Sequence, residues 1–91
     1  MKSNIHVIIK GRVQGVWFRA STKQKAEQLD ITGWVRNTAD GHVEAIFEGE
    51  ENNIREMLEW CHHGPPMAEI EKVEVKNQMA TNGFNGFTIK Y

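Results

Sequence analysis

The apolar residues of this chain switch repeatedly between two spacings, and this switching restricts the folds that the chain can adopt. Alternating apolar residues are typical of strands, whereas spacings of three and four residues are typical of helices with one buried face. The sequence therefore predicts two helices set among five strands. The strand signals are Ile5, Val7 and Ile9; residues 34–38; Val43, Ala45 and Phe47; Ile70, Val73 and Val75; and residues 86–91. The helix signals are Phe18, Thr22, Ala26 and Leu29, then Ile54, Met57, Leu58 and Cys61.

Turn-forming residues separate these segments. The Asp-Gly pair at 40–41 lies between two strand signals and predicts a β-hairpin, because both residues accept positive φ angles. The Gly-Pro-Pro run at 64–66 ends the second helix, since proline lacks the N–H that a helix needs. The apolar phase shifts between Ile70 and Val73, which predicts a bulge or an edge position in that strand.

The resulting order of elements is βαββαβ with an additional short C-terminal strand. Two βαβ units interleave in this order, and right-handed crossovers place the first and fourth strands side by side. The predicted fold is an α+β, ferredoxin-like two-layer sandwich in which two helices cover one face of an antiparallel sheet. Enzymes, regulatory ligand-binding modules and RNA-binding domains share this architecture, so function has to be argued from the site.

Size, composition and cysteine content indicate one small cytoplasmic domain spanning residues 1–91. A hydrophobic fraction of 40% and a charged fraction of 25% are ordinary for a folded domain of 91 residues. No apolar stretch approaches the roughly 20 residues of a membrane-spanning helix, and the N-terminus lacks a secretory signal pattern. Cys61 is the only cysteine, which excludes an intramolecular disulfide. We expect a monomer that binds neither membranes nor nucleic acid.

Residues 11–19, with the sequence GRVQGVWFR, have the properties of an anion-binding turn. Such glycine-containing turns before a helix can direct successive backbone N–H groups and the positive end of the helix dipole at one centre. Arg19 adds a guanidinium that can contact two oxygens of a phosphate or carboxylate. Residues 1–26 contain six basic and no acidic residues, whereas the rest contains five basic and twelve acidic ones. We therefore expect a small anion as the ligand.

These residues, together with GWVRNTADGHVE at 33–44, resemble the acylphosphatase family, in particular its small single-domain bacterial members. Enzymes of that family hydrolyse the carboxyl–phosphate anhydride of acyl phosphates. The resemblance covers essentially the whole chain and implies a phosphate-binding loop that acts through its backbone amides. The loop residues are Gln14, Gly15, Val16, Trp17 and Phe18. The resemblance further implies that Arg19 is the essential phosphate-binding side chain, that Asn37 positions the attacking water, and that Trp17 affects substrate fit.

The implied reaction suits this small set of groups. An acyl phosphate already carries a good leaving group, and phosphoryl transfer depends mainly on positioning and on stabilising charge over the phosphoryl oxygens. We therefore expect no metal and no cofactor. Because neither signature contains a convincing base, we expect the water's proton to pass to the substrate phosphate. Inorganic phosphate is expected as product and as competitive ligand.

Each of these features also has a simpler explanation. Gly11 and Gly15 permit a tight connection, Arg19 taken alone is typical of a solvated helix residue, and Asn37 is typical of a strand end. The alternative function is a non-catalytic, small-anion-binding regulatory domain of the same fold; related domains occur in larger carbamoyltransferases of hydrogenase maturation. An RNA-binding module is a weaker alternative, suggested by the spaced aromatic residues of NGFNGFTIKY at 82–91.

The remaining candidate groups are expected to be structural. Cys61, His62 and His63 are consecutive and cannot converge on one metal without distant ligands. Glu50 and Glu51 are expected to begin the second helix, where negative charge is favourable. His6 and His42 are assigned to strands, and Trp34 and Trp60 to packing.

Overall fold

A computed structural model describes every residue from Met1 to Tyr91 and contains five strands and two helices. The elements are β1 (Lys2–Arg12), α1 (Phe18–Gln28), β2 (Thr32–Asn37), β3 (Val43–Glu50), α2 (Glu51–Cys61), β4 (Glu69–Gln78) and β5 (Phe87–Lys90). Their number, type and order confirm the sequence prediction. Neither helix is long and apolar enough to cross a membrane.

All five strands form one sheet, in the order β4-β1-β3-β2-β5. The predicted neighbours β1 and β4 are adjacent and antiparallel, and β3 is antiparallel to both β1 and β2. β5 pairs parallel with β2, so the sheet is mixed, and the prediction of a wholly antiparallel sheet is wrong at this strand. The reason is the connection after β4, which leads from one edge of the sheet to the other before β5 begins.

The core lies between the sheet and the two helices. Alternate residues of β1 and β3 point into it, with Val7, Ile9 and Phe47 fully buried. α1 packs on β2 and β5, and α2 packs on β1 and β3. Trp60 packs against the core as predicted, with its ring centroid 5.5 Å from that of Phe18.

Trp34 does not belong to this core, contrary to its assignment as a packing residue. Its neighbours Gly33 and Val35 are buried, whereas the Trp34 ring lies on the sheet face opposite the helices. Lys90 Nζ lies 4.5 Å from the centroid of this ring, and the Arg36 guanidinium lies over it at 5.8 Å. Cation–π contacts therefore take the place of apolar packing.

The predicted bulge in β4 is confirmed, and β4 is also an edge strand. The pairing of β1 with β4 shifts after Lys10, which leaves Glu71 as the extra residue. Gly11 lies opposite this bulge with φ +132°, and a Cβ at this position would lie 2.1 Å from the carbonyl oxygen of Glu69. Gly11 therefore permits close strand pairing and belongs to β1, not to the anion-binding turn.

A buried carboxylate on β3 holds the connection between β4 and β5. Glu48 accepts hydrogen bonds from Asn4 Nδ2 at 2.9 Å, the Thr81 N–H at 2.7 Å and the Asn82 N–H at 2.8 Å. Burial is the largest single influence and favours the protonated form, but these hydrogen bonds together outweigh it and hold the pKa of Glu48 below its ordinary value. The loop that leads into β5 is therefore fixed from the sheet.

The second helix begins as expected from its charge pattern. Glu50 is the N-cap residue and Glu51 the first helical residue, where a carboxylate interacts favourably with the helix dipole. Ile54, Met57 and Cys61 are buried. Burial also raises the pKa of the Cys61 thiol to about 12, which keeps it protonated and unreactive near neutral pH.

Candidate functional site

The loop between β1 and α1 presents an uninterrupted series of free backbone donors. No N–H from Gln14 to Ala20 donates a hydrogen bond to another protein group. Gly15 has φ +74° and Trp17 has φ +65°, whereas Val16 between them is not left-handed. Alternation of this kind turns successive N–H groups toward one side of the chain and forms a concave site for an anion.

The start of α1 extends this donor series. Trp17 is the N-cap residue and provides no side-chain cap, and the first backbone bond of the helix runs from the Ser21 N–H to the Trp17 carbonyl oxygen at 3.0 Å. No acidic side chain occupies the first turn. The positive end of the helix dipole is therefore left to an external negative charge.

The side chain of Gln14 has a role that the sequence analysis missed. Its Nε2 donates to the carbonyl oxygens of Thr38 at 2.8 Å and His42 at 2.9 Å. Both acceptors belong to the connection between β2 and β3. These two bonds join the phosphate-loop candidate to the hairpin that follows Asn37. No local pattern identifies this contact, because its partners lie 24 and 28 residues away.

The predicted hairpin between β2 and β3 is present, with a longer connection than its Asp-Gly pair suggests. Gly41 has φ +90°, whereas Asp40 does not adopt a positive φ. His42 lies in this connection, and its N–H donates to Thr38 Oγ1 at 3.1 Å. The assignment of His42 to a strand is therefore wrong. His6 does lie in β1, with Nε2 2.6 Å from Glu44 Oε2.

Arg19 lies in the first turn of α1 and is half-buried. Its guanidinium carbon lies 4.9 Å from the centroid of the Tyr91 ring, and no carboxylate pairs with it. Other basic residues of the N-terminal segment do have acidic partners in the fold: Lys10 with Glu74, Lys23 with Glu27 and Lys25 with Glu56. The positive charge expected over residues 1–26 is thus partly neutralised, and Arg19 keeps its donors free.

Asn37 is the last residue of β2, so the sheet determines its position. Its Oδ1 is buried and has no hydrogen-bond partner. A buried acceptor without a donor is destabilising by about 1–3 kcal/mol unless a ligand or water supplies one. The carboxamide therefore offers an acceptor to a bound molecule.

Arg19 and Asn37 meet at one cleft of about 340 Å³. The cleft is lined by Val13, Gly15, Trp17, Phe18, Arg19, Ala20, Asn37, Ile89 and Tyr91. Gln14 and Val16 do not line it: the Gln14 side chain is held by the hairpin, and Val16 is buried with 6% exposure. No Asp, Glu, His or Cys residue lines the cleft, and no three side chains of these types are grouped to hold a metal ion. His62 and His63 are exposed beyond the end of α2.

The fold is of the ferredoxin-like α+β class, and its cleft offers free backbone donors and a guanidinium to an oxyanion. The family model described as Acylphosphatase matches residues 5–89. The chain belongs to the acylphosphatase family, which confirms the resemblance seen in residues 11–19 and 33–44.

Relatives of known name agree with this membership. An acylphosphatase of Rubrobacter xylanophilus is 51% identical over 94% of this chain and 78% of its own length. An acylphosphatase of Pelotomaculum thermopropionicum is 43% identical over 99% of this chain and 98% of its own length. The crystal structure of the acylphosphatase from Bacillus subtilis has a TM-score of 0.94 and 34% identity to this chain, with 100% of both chains covered.

Proposed function

We propose that the chain hydrolyses acyl phosphates at this cleft, with Arg19 and Asn37 as its catalytic residues. The phosphate-binding loop in this proposal comprises Gln14, Gly15, Val16, Trp17 and Phe18. Membership in the acylphosphatase family supports an acyl phosphate as substrate and inorganic phosphate as product. Nothing in the fold or in the relatives favours the alternative of a non-catalytic anion-binding domain.

The observation that carries the assignment of Asn37 is its buried, unpartnered Oδ1 beside Arg19. This oxygen can accept a hydrogen bond from a water and hold that water's lone pair toward phosphorus. An amide does not titrate near neutral pH, so the water keeps one orientation over a wide pH range. Positioning of this kind replaces activation by a strong base.

The free loop amides and Arg19 account for binding of the phosphoryl group. The backbone N–H groups of the loop are free of protein partners, and those of the cleft-lining residues Gly15, Trp17 and Phe18 donate to its oxygens. The guanidinium of Arg19 contacts two of these oxygens. These donors stabilise the charge that spreads over the phosphoryl oxygens in the transition state. The Tyr91 ring under the guanidinium limits the orientations that Arg19 can adopt.

The reaction balances without a protein acid or base. The water oxygen forms a bond to phosphorus, and the bond from phosphorus to the bridging oxygen breaks with its electron pair leaving on the carboxylate. One proton of the water passes to a phosphoryl oxygen, so the products are a carboxylate and inorganic phosphate. The cleft lining supports this route because it contains no Asp, Glu or His side chain to take the proton.

The role of Arg19 is tested with Arg19→Lys, which keeps the charge but loses the two-point contact. We expect kcat/KM for acetyl phosphate to fall by at least about 100-fold, as on loss of a transition-state donor. Arg55→Lys is the matched control, since Arg55 is exposed on α2 away from the cleft. Near-normal turnover by a folded Arg19→Lys protein would remove Arg19 from the mechanism.

The role of Asn37 is tested by separating turnover from binding. In Asn37→Ala we expect kcat to fall by about 100-fold while the inhibition constant of inorganic phosphate changes less than threefold, because water positioning acts mainly in the transition state. Asn52→Ala on the exposed side of α2 is the control. Equal losses in kcat and phosphate affinity would assign Asn37 to phosphate binding. A side-chain pKa in the pH profile of kcat would contradict proton transfer to the substrate.

We also propose that residues 1–91 act as one monomeric domain in the cytoplasm, without nucleic acid. A single buried, protonated cysteine is in keeping with a reducing compartment. The net charge of −1 gives little general attraction for a polyanion. Sedimentation equilibrium and a gel-shift experiment with single-stranded RNA test these statements; a dimer at micromolar concentration or a salt-sensitive shift would contradict them.

A further inference from the structure

A second cleft lies between α1 and the turn that follows α2. Its volume of about 360 Å³ is close to the 340 Å³ of the proposed catalytic cleft and falls in the range typical of small-ligand sites. From α1 the lining includes Ser21, Lys25 and Gln28, which share one helix face because they are four and three residues apart. Trp60 and residues 64–66 form the opposite wall. The linings of this interhelical groove and of the catalytic cleft share no residue.

The wall formed by Trp60 and the turn is held in place from the core side. The Gly64 N–H donates to the Trp60 carbonyl oxygen at 2.8 Å, and the Ala68 N–H donates to that of Pro65 at 3.0 Å. Gly64 has φ +65°, and a Cβ at this position would lie 2.7 Å from Phe18 Cε2. The same Phe18 ring packs against the Trp60 ring. The groove is therefore formed before any ligand enters, which lowers the cost of binding.

The groove contains one charged side chain, the ammonium of Lys25, and no Asp or Glu lines it. Lys25 Nζ lies 3.7 Å from Glu56 Oε2, which is longer than a hydrogen bond, and Glu56 itself is outside the lining. A partly exposed ion pair of this kind contributes little to stability. Lys25 is therefore available to a negatively charged ligand, with Glu56 as its competitor.

The donors of the groove suit a carboxylate better than a phosphate group. The backbone N–H groups of Ser21 and Gly64 already donate to the carbonyl oxygens of Trp17 and Trp60, and residues 65–66 are prolines without an N–H. The groove thus lacks the series of free amides that the β1–α1 loop offers. A single ammonium without such amides matches one negative charge, not two.

The dimensions and the aromatic wall of the groove suit a flat ring. The Trp60 indole offers an aromatic surface on which another ring can pack favourably. The stretch from Ser21 to Gln28 spans about 10 Å along α1, at 1.5 Å per residue. This length accommodates one ring or two fused rings that carry a short carboxylate arm.

We propose that the interhelical groove is a second binding site, and that its ligand is a small planar carboxylate with an aromatic or heteroaromatic ring. The carboxylate pairs with Lys25 and the ring lies against Trp60. Ser21 and Gln28 donate hydrogen bonds to polar atoms of the ligand. The proposal does not depend on hydrolysis at the catalytic cleft, so each can fail without the other.

The test uses indole-3-acetate as the probe and follows its binding to the complete chain by amide-resolved NMR at low salt. We expect the indole N–H of Trp60 and the backbone amides of Ser21 and Lys25 to shift, with a Kd on the order of 1 mM. Indole-3-acetamide keeps the ring without the charge, and acetate keeps the charge without the ring. Each is expected to bind at least about threefold more weakly.

Two charge variants change the affinity in opposite directions if the site is correct. Lys25→Gln removes the cation and is expected to weaken binding of indole-3-acetate at least about threefold. Glu56→Gln removes the competing carboxylate and is expected to strengthen binding about twofold. Lys23→Gln is the matched control: it removes the same charge from α1, but Lys23 pairs with Glu27 and does not line the groove. Its affinity should equal that of the wild type.

Three results would overturn the proposal. The first is the absence of any shift with up to about 10 mM probe, which is ten times the expected Kd. The second is an equal affinity of Lys25→Gln and Lys23→Gln, which would reduce the binding to general charge. The third is a set of shifts centred on Gly15 and Trp17 and abolished by Arg19→Lys, which would place the probe in the catalytic cleft.

Discussion

The contact between Gln14 and the β2–β3 hairpin can be removed by single substitutions that leave the cleft lining intact. Gln14→Leu deletes both hydrogen bonds, each with a net contribution of about 0.5–1.5 kcal/mol. Neither carbonyl is orphaned by the change, because Thr38 O still accepts from the Gly41 N–H at 3.2 Å and His42 O from the Thr38 N–H at 2.9 Å. The expected loss in unfolding free energy is therefore about 1–3 kcal/mol, with no further penalty for buried acceptors.

Gln14→Glu is the sharper variant, because it is nearly isosteric and replaces the amide donor by an anion. Its carboxylate would face the same two carbonyl oxygens at about 2.8–2.9 Å without a proton to donate. We expect Gln14→Glu to be less stable than Gln14→Leu at pH 7, and to regain part of the difference at low pH when the carboxyl is protonated. One kcal/mol corresponds to a melting-temperature shift of roughly 4–8 °C in a domain of this size.

The assay combines urea denaturation with steady-state hydrolysis of acetyl phosphate. We expect kcat to fall by more than the loss of folded protein accounts for. The reason is that the loop no longer has its two hydrogen bonds to the hairpin that follows Asn37. Gln24→Leu on the exposed side of α1 is the control and should match wild type in both measurements. A Gln14→Leu protein with wild-type denaturation midpoint and kcat would refute the argument, because the two hydrogen bonds would then have no measurable effect.

Two further predictions concern stability. Gly11→Ala should lower the unfolding free energy by about 2–5 kcal/mol in denaturant titrations, because backbone strain adds to overlap with Glu69. Gly41→Ala also lies at positive φ but has no atom within 4 Å, so its loss should be clearly smaller. Equal losses in the two variants would contradict the close approach at the bulge. Glu48→Gln should be less stable than wild type at pH 7. This difference in unfolding free energy should narrow below the ordinary Glu pKa of 4.5. The reason is that a carboxylate with a lowered pKa stabilises the fold above that value and loses this effect as pH falls. A gap that stays constant between pH 7 and pH 3 would contradict the role given to the Glu48 charge.

The elements of this fold were predictable because each has a local signal. The buried stripe of Ile54, Met57 and Cys61 and the phase shift before Val73 both reflect short-range geometry, and both predictions are confirmed. The direction of β5 was not predictable in this way, since it depends on where the connection after β4 leads. The hydrogen bonds from Thr81 and Asn82 to Glu48 that fix this connection join residues more than thirty positions apart.

The candidate site likewise combines residues that the local sequence predicts with contacts that only the folded chain reveals. The residue types of Gly15 and Arg19 suit anion binding, and the family resemblance implies the water-positioning role of Asn37. The fold brings all three to one cleft. Gly11 was included in the turn for its residue type alone, and only the strand pairing reveals its close approach to Glu69. Trp34 was assigned to packing because it is large and apolar, yet nearby cations retain it on the open face.

The bulge in β4 also affects how copies of this chain behave toward one another. An edge strand presents unpaired N–H and C=O groups to any other strand in solution. Here the extra residue Glu71 interrupts the regular spacing of those groups, and Lys72, Glu74 and Lys76 place charge along the same edge. An incoming strand would have to match a broken register and bury these charges. The irregularity opposite Gly11 thus protects the molecule against edge-to-edge aggregation.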